Sequence, residues 1–295
     1  MKTKKLKNRL SIYLLIAPFL ILFIIFTVVP ILSSVGLSFF YYDTVSTPKF
    51  IGLDNYIQMF FNDDMFPKAL LNSVFFAVVI GPLSFMLCFL LAWLVCDYGK
   101  RTRTILSFLI YAPALSGNVY FIWKLLFSGD SYGYINSILL SIGLISEPIQ
   151  WLQDSDYVLP IVVVVQLWMS FGTSFLANIA GIQSVDSQLY EAAAMDGVPT
   201  RWHEMWYVTL PSMKSILVFS CVMQIQSAFA ISTVPKALAG FPSVNYSVET
   251  LVTLIGDVGT TRYELGYAAA ISVFLFVLML ITKNVMLKFI NFTGS

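Results

Sequence analysis

Apolar runs of about 20 residues, the length that crosses a bilayer as a helix, recur along this chain. The first covers 10–32 and continues through Phe39. Others fall at about 70–95, 105–127, 157–180, 213–232 and 266–287. Nothing else in the sequence restricts the fold as tightly. In lipid every backbone N–H and C=O must be paired within the protein, and an isolated apolar run does this only as a helix. The pattern therefore predicts an all-α, multi-spanning membrane protein with six transmembrane helices. Composition agrees: the 295 residues are 58% hydrophobic and 11% charged, with mean hydropathy +0.81. A soluble domain carries about 25% charged residues, so a soluble enzyme is excluded.

The loops set the orientation. Lys2, Lys4, Lys5, Lys7 and Arg9 form a charged tail over 1–9, followed by the first helix at 10–40. A secretory signal peptide has a shorter apolar core and a small-residue cleavage site, so this run reads as an uncleaved span. Pro18 and Pro30 kink it or mark its ends. The remaining five spans form a core at 70–288. With both termini inside, the cytoplasmic segments also hold Lys100, Arg101, Arg103, Arg201, Lys214, Lys283 and Lys288, which makes twelve cations. Outside are four, Lys49, Lys68, Lys236 and Arg262. Lys124 sits near a span end, where a long side chain snorkels to the interface. The excess inside obeys the positive-inside rule, and the inverted topology breaks it. With this orientation the predicted location is a plasma membrane.

Chemical motifs are scarce. No Gly-x-x-x-x-Gly-Lys-Ser/Thr loop is present, so this chain does not itself hydrolyse ATP. There is no Gly-x-Ser-x-Gly, and His203 is the only histidine. No cofactor and no metal is expected in this chain, and it is not expected to be an enzyme. Cys88, Cys96 and Cys221 lie in or beside apolar runs and read as small core residues. The predicted spans contain no Asp or Glu. Proton-coupled carriers keep such groups as relays. The spans do contain amides and aromatics: Gln166, Trp168 and Asn178 in the fourth, and Gln224, Gln226, Ser227 and Phe229 in the fifth. Amides are costly in lipid, so they face other helices or a watery path. Hydrogen-bonding amides beside an aromatic face suit a sugar, and equally suit interhelical bonding. Trp93, Trp123 and Trp151 fall near predicted interfaces, where an aromatic belt is the ordinary explanation.

The longest polar interval on the inner side is 184–211. Asp186 or Ser187 can cap a helix, and Ala192, Ala193 and Ala194 favour one. Gly197 permits a sharp turn, and Pro199 or Thr200 begins a second helix. Glu191-Ala192-Ala193, Asp196-Gly197 and the closing Leu210-Pro211 resemble the EAA loop of permease subunits in binding-protein-dependent ABC importers, the maltose-type sugar permeases in particular. Weaker likenesses are Ile51–Tyr56, Gly240-Phe241-Pro242, Val248–Leu251 and Gly266–Ala270. In the family the glycine pair ahead of that proline is unbroken, whereas here Phe241 interrupts it.

The resemblance implies a type I importer permease architecture, with the first span wrapping a partner. It implies that Glu191, Ala192, Ala193, Ala194, Asp196 and Gly197 form a coupling helix docked on an ATPase subunit. It further implies two such subunits holding ATP and Mg, a second six-helix permease, an extracellular binding protein and a carbohydrate cargo. Gln166, Trp168, Asn178, Gln224, Gln226 and Phe229 are the candidates for the path. Glycerol phosphate, a polyol or a peptide are alternative cargoes, and a secondary carrier is a rival from another class. A phosphate cargo favours Arg or Lys in the path, and none lies mid-span. No nucleic-acid partner is implied.

Overall fold

A computed structural model describes residues 15–293, apart from Pro199. The charged tail 1–9, the start of the first apolar run and the role expected of Pro199 lie outside the described residues. In chain order the main elements are α1 (Leu15–Leu37), a hairpin of β1 (Phe40–Tyr41) and β2 (Lys49–Phe50), then α2 (Met65–Cys96), α3 (Lys100–Leu115), α4 (Tyr120–Leu126), α5 (Tyr134–Ser141), α6 (Ser155–Met169) and α7 (Thr173–Gln183). They continue with α8 (Ser187–Met195), α9 (Arg201–Glu204), α10 (Lys214–Phe229), α11 (Thr233–Ala239) and α12 (Leu265–Thr293).

Four stretches are long and apolar enough to span: α1, α2, Lys214–Ala239 (α10 and α11 together) and α12. The predicted third and fourth spans are bent pairs. α3 and α4 meet at 82°, and α6 and α7 at 43°, so six spans result when each pair counts as one. The cause of the first break is local. Pro113 sits in the last turn of α3, and Ser116, ahead of Gly117, is already extended. Pro82 is carried inside a continuous α2. Near Pro30, α1 widens into a π-helical stretch at Ile24–Val28, with Val29 N–H donating to Ile24 O. Such stretches absorb the hydrogen bond that proline lacks. Outside the predicted span ranges the chain is also helical: Lys100–Thr104 begin α3, and 233–265 holds α11, a short turn at Val244–Tyr246 and an apolar helix at Leu251–Thr261.

The chain forms two compact units. One comprises residues up to Asp63 and Leu254–Val277. Here α1 buries none of its apolar side chains. The hairpin pairs Phe40 with Phe50 and Tyr41 with Lys49, antiparallel. Its loop is closed by Asp43, whose carboxylate accepts from the Ser46 hydroxyl (2.6 Å) and the Ser46 N–H (2.7 Å). Those bonds, the hydroxyl first, hold the Asp43 carboxyl below its usual range. Asn55 explains the Ile51–Tyr56 stretch: its amide donates to Ser38 O (2.9 Å) and Phe40 O (3.0 Å) after Gly52 turns the chain at φ +62°. Asp63 accepts from Tyr267 Oη at 2.5 Å, and Phe60 meets Phe274 edge-on.

The other unit holds Asp64–Thr253 and the end of α12. Its centre is the mutual packing of α2, α7 and α10. Buried small residues make this contact: Ala69, Ser73, Ala77, Gly81, Ser84, Cys88 and Ala92 recur every three or four positions on α2. Lipid supplies no hydrophobic force between helices, so close van der Waals approach along such a stripe is what binds them. A Cβ on Gly181 of α7 would lie 2.9 Å from Met213 Cε, which shows how tight the α7 contact is. As expected, Cys88 and Cys221 are buried in the core.

Asn72 and Ser73 fasten 231–253 to α2. The Asn72 amide donates to Tyr246 O (3.0 Å) and Glu249 O (2.9 Å), and Ser73 Oγ accepts from Leu251 N–H (2.8 Å). The buried Glu249 carboxylate takes Ser243 N–H (2.6 Å) and the Thr253 hydroxyl (3.0 Å). Asn72→Ala strands two carbonyls, a loss of about 1–3 kcal/mol. We expect a lower thermal midpoint for the detergent-solubilised protein, and an unchanged midpoint would mean water replaces the amide.

Candidate functional site

The polar segment 184–211 folds as two helices across a glycine turn. Asp186 opens α8, its Oδ1 accepting from Gln188 N–H at 3.0 Å. At the other end Val198 N–H donates to Ala193 O (3.0 Å) and Gly197 N–H to Ala194 O (3.2 Å). This double bond pattern is a Schellman stop, which needs a left-handed residue after the helix. Gly197 supplies it with φ +82°. Thr200 precedes α9, but its hydroxyl meets His203 Nδ1 (2.6 Å) and no backbone N–H caps onto it. α9 runs into a π-helical stretch at Met205–Thr209 and then Leu210–Ser212, with Pro211 in its first turn.

One face of this segment is anchored. Met205 and Met213 are buried with Phe89 and Trp93 of α2. Tyr190 Oη and Thr209 Oγ1, 2.9 Å apart, brace α8 against the second helix. Trp202 packs on Trp93 at 5.1 Å between centroids. Trp93 is therefore 7% exposed and held by protein, a correction to its expected place in an aromatic belt. The other face is open. Ala193 is buried, while Leu189, Glu191, Ala192, Ala194, Met195 and Asp196 are exposed, Met195 at 88%. A short helix with an exposed Leu, Met and alanines, rimmed by two acids, is the form that seats in a groove of another protein.

A second feature lies among α2, α6, α7 and α10. The 170–172 break between α6 and α7 opens a cavity of about 190 Å³. Ser84, Gln166, Ser170, Thr173, Ser174, Gln224 and Ser227 line it, with Ile80, Met169 and Met223. Broken helices at membrane depth are tolerated where the freed backbone is buried in protein or lines a cavity. Here Ser170 O accepts from Gly172 N–H at 2.8 Å and from Gln224 Nε2 at 3.2 Å. No Asp, Glu, Lys or Arg is among the described residues of this lining.

The structure thus brings Gln166 and Gln224 together at the cavity, and leaves the other path candidates elsewhere. Trp168 stacks edge-on against Trp123 (5.4 Å) in an aromatic cluster that continues through Phe127, Trp151 and Tyr157. Trp123 and Trp151 belong to that cluster and are half-buried. Asn178 is fully buried and donates to Ser220 Oγ (3.3 Å), an interhelical bond. Gln226 is exposed away from the lining, and Phe229 is buried in packing. Sequence reasoning missed Ser84, Ser170 and Thr173. The Ser170-Phe171-Gly172-Thr173 run inside an apolar stretch was the available signal.

Residues 74–290 match the family model described as binding-protein-dependent transport system inner membrane component. The chain belongs to this family. It is a transmembrane permease subunit of an ABC importer, integral to the inner membrane, and the family is one of transporter subunits, not enzymes. It is 32% identical over 281 residues to a probable ABC transporter permease protein, YesP, of Bacillus subtilis, covering 94% of this chain and 89% of that one. It is 32% identical over 212 residues to the lactose transport system permease protein LacF of Rhizobium radiobacter, covering 71% and 70%. The arabinooligosaccharide permease protein AraP of Bacillus subtilis is 30% identical, with 94% and 87% covered. In fold the permease is similar to a chain of a bacterial ABC transporter for alginate import, with TM-score 0.78, 24% identity and 99% and 97% coverage.

Proposed function

We propose that this permease passes a carbohydrate across the membrane, powered by ATP bound and hydrolysed with Mg on two partner ATPase subunits. The observation that carries the cargo is the cavity lining: amides and hydroxyls with apolar walls and no ionisable group. Gln166 and Gln224 offer donors and acceptors for sugar hydroxyls there. The named cargoes of its relatives, lactose and arabinooligosaccharides, are carbohydrates, which supports the same class. The neutral lining favours a neutral sugar over glycerol phosphate or a charged peptide.

The coupling role falls to α8. Glu191, Ala192, Ala194 and Asp196 form the exposed docking face, Ala193 seats the helix, and Gly197 fixes its stop. A second six-helix permease completes the path, and an extracellular binding protein delivers the sugar. A related complex with an alginate-loaded periplasmic protein has been solved, and its permease shares this fold. Both termini face the cytoplasm, a reading that the excess of Lys and Arg in the inner loops supports.

The test is purification from mild detergent followed by reconstitution into proteoliposomes. We expect a P-loop ATPase and a second permease to come with the chain. Uptake of a labelled sugar should need both ATP and binding protein. A chain that comes down alone, with uptake driven by a proton gradient, would point to a secondary carrier.

A further inference from the structure

Beside α8 is an open hollow of about 330 Å³, lined by Cys96, Ile182, Tyr190 and Thr209 and by Asp97 and Arg201 themselves. A packed interior transmits displacement, and the packing of Met205, Met213 and Trp202 on Phe89 and Trp93 joins this segment to α2. Beside the hollow, two residues distant in sequence add a polar contact. Asp97 is the C-cap that follows α2, and Arg201 is the first residue of α9. Arg201 Nη2 pairs with Asp97 Oδ1. The guanidinium carbon also lies 5.6 Å from the centre of the Trp93 ring, and Arg201 Nε lies 4.0 Å from Glu204 Oε2.

We infer that the Asp97–Arg201 ion pair, held over Trp93, is a polar strut that works beside the Trp202 and methionine packing to pass movement of α8 to α2. The proposal rests on the coupling role given to α8 above. The chain of contacts is continuous: α8 is tied to the second helix by Tyr190 and Thr209, that helix to the end of α2 by Arg201 and Asp97, and α2 carries Ile80 and Ser84 into the polar cavity. Both partners are substantially exposed, with side chains 54% and 36% accessible. Salt therefore screens the pair, and the strut weakens as ionic strength rises. Arg201 and Asp97 are positioning residues that touch neither sugar nor nucleotide.

The experiment measures sugar molecules imported per ATP hydrolysed by the complete complex in proteoliposomes. The variants are Asp97→Asn, Arg201→Gln, their double and Arg201→Lys. Each neutral single variant is expected to lower the ratio several-fold while ATP is still consumed. The double variant should be no worse than either single, the mark of residues acting as one pair. Arg201→Lys keeps the charge and should retain most of the ratio. The strut is overturned if the singles keep the wild-type ratio, if their losses multiply in the double, or if Arg201→Lys falls as far as Arg201→Gln. A wild-type complex whose uptake ignores ATP would instead overturn the coupling reading itself.

Discussion

Gly197→Pro is expected to abolish ATP-driven uptake while leaving the membrane-embedded helices folded. Two independent requirements fail together. Gly197 sits at φ +82°, whereas proline is fixed near −65°. The N–H that donates to Ala194 O at 3.2 Å is also removed. Proline cannot adopt this conformation, so the stop is lost outright, and the population holding α8 in its docked form should fall by about tenfold or more. A Cβ at this position meets nothing within 4 Å, so Gly197→Ala isolates the conformational part alone. That variant should cost only about 1–2 kcal/mol, the left-handed penalty of an L-residue, and retain partial uptake. The order glycine, alanine, proline in uptake rate, with thermal midpoints of the embedded helices nearly equal, is the expected result. Full uptake by the proline variant would mean that the turn plays no part in coupling.

The spans and α8 were legible because each rests on local chemistry. Apolar length marks a span whatever surrounds it. The pairing of Asp186 as cap with Gly197 as stop is written within a dozen residues, and the structure shows both bonds. What stayed hidden depends on partners far along the chain. Asn72 reads as one polar residue in an apolar run, and only folding brings it to Tyr246 and Glu249. Asn136 in the 128–156 loop is similar: its side chain bonds Ser128 O, Asp130 O, Ile149 O and Trp151 Nε1, making an ordered loop of a stretch that reads as polar connection. The path candidates show the same limit. An amide in a span has to be satisfied, but the sequence does not say by what. Gln224 faces the cavity and Asn178 faces Ser220, although both were singled out on the same ground. The small-residue stripe of α2 was readable by its spacing of three and four, and it defines the face against which α7 and α10 pack.

Gly266→Ala is the second variant with a large expected effect, and it acts through space instead of conformation. Small residues open α12, and the first of them meets a strand. A Cβ on Gly266 would lie 2.0 Å from Phe40 O, 3.1 Å from Phe40 C and 3.3 Å from Tyr42 N. All three are backbone atoms, so no side-chain rotation relieves the clash. The hairpin has little freedom to retreat. Phe40 O already accepts from Asn55, β1 is paired to β2, and Gly266 N–H donates to Tyr42 O at 3.2 Å. Either the hairpin or the start of α12 has to shift, which breaks that last bond. Overpacking in a well-filled site costs about 1–3 kcal/mol, and the lost backbone bond adds about 1 kcal/mol. The variant should unfold at a lower temperature and expose the 43–48 loop to protease. Gly36→Ala is the matched control: no atom lies within 4 Å of its added Cβ, and alanine favours the helix it occupies. Equal thermal midpoints and equal protease resistance for Gly266→Ala and Gly36→Ala would show that the hairpin does not hold this close approach in the membrane.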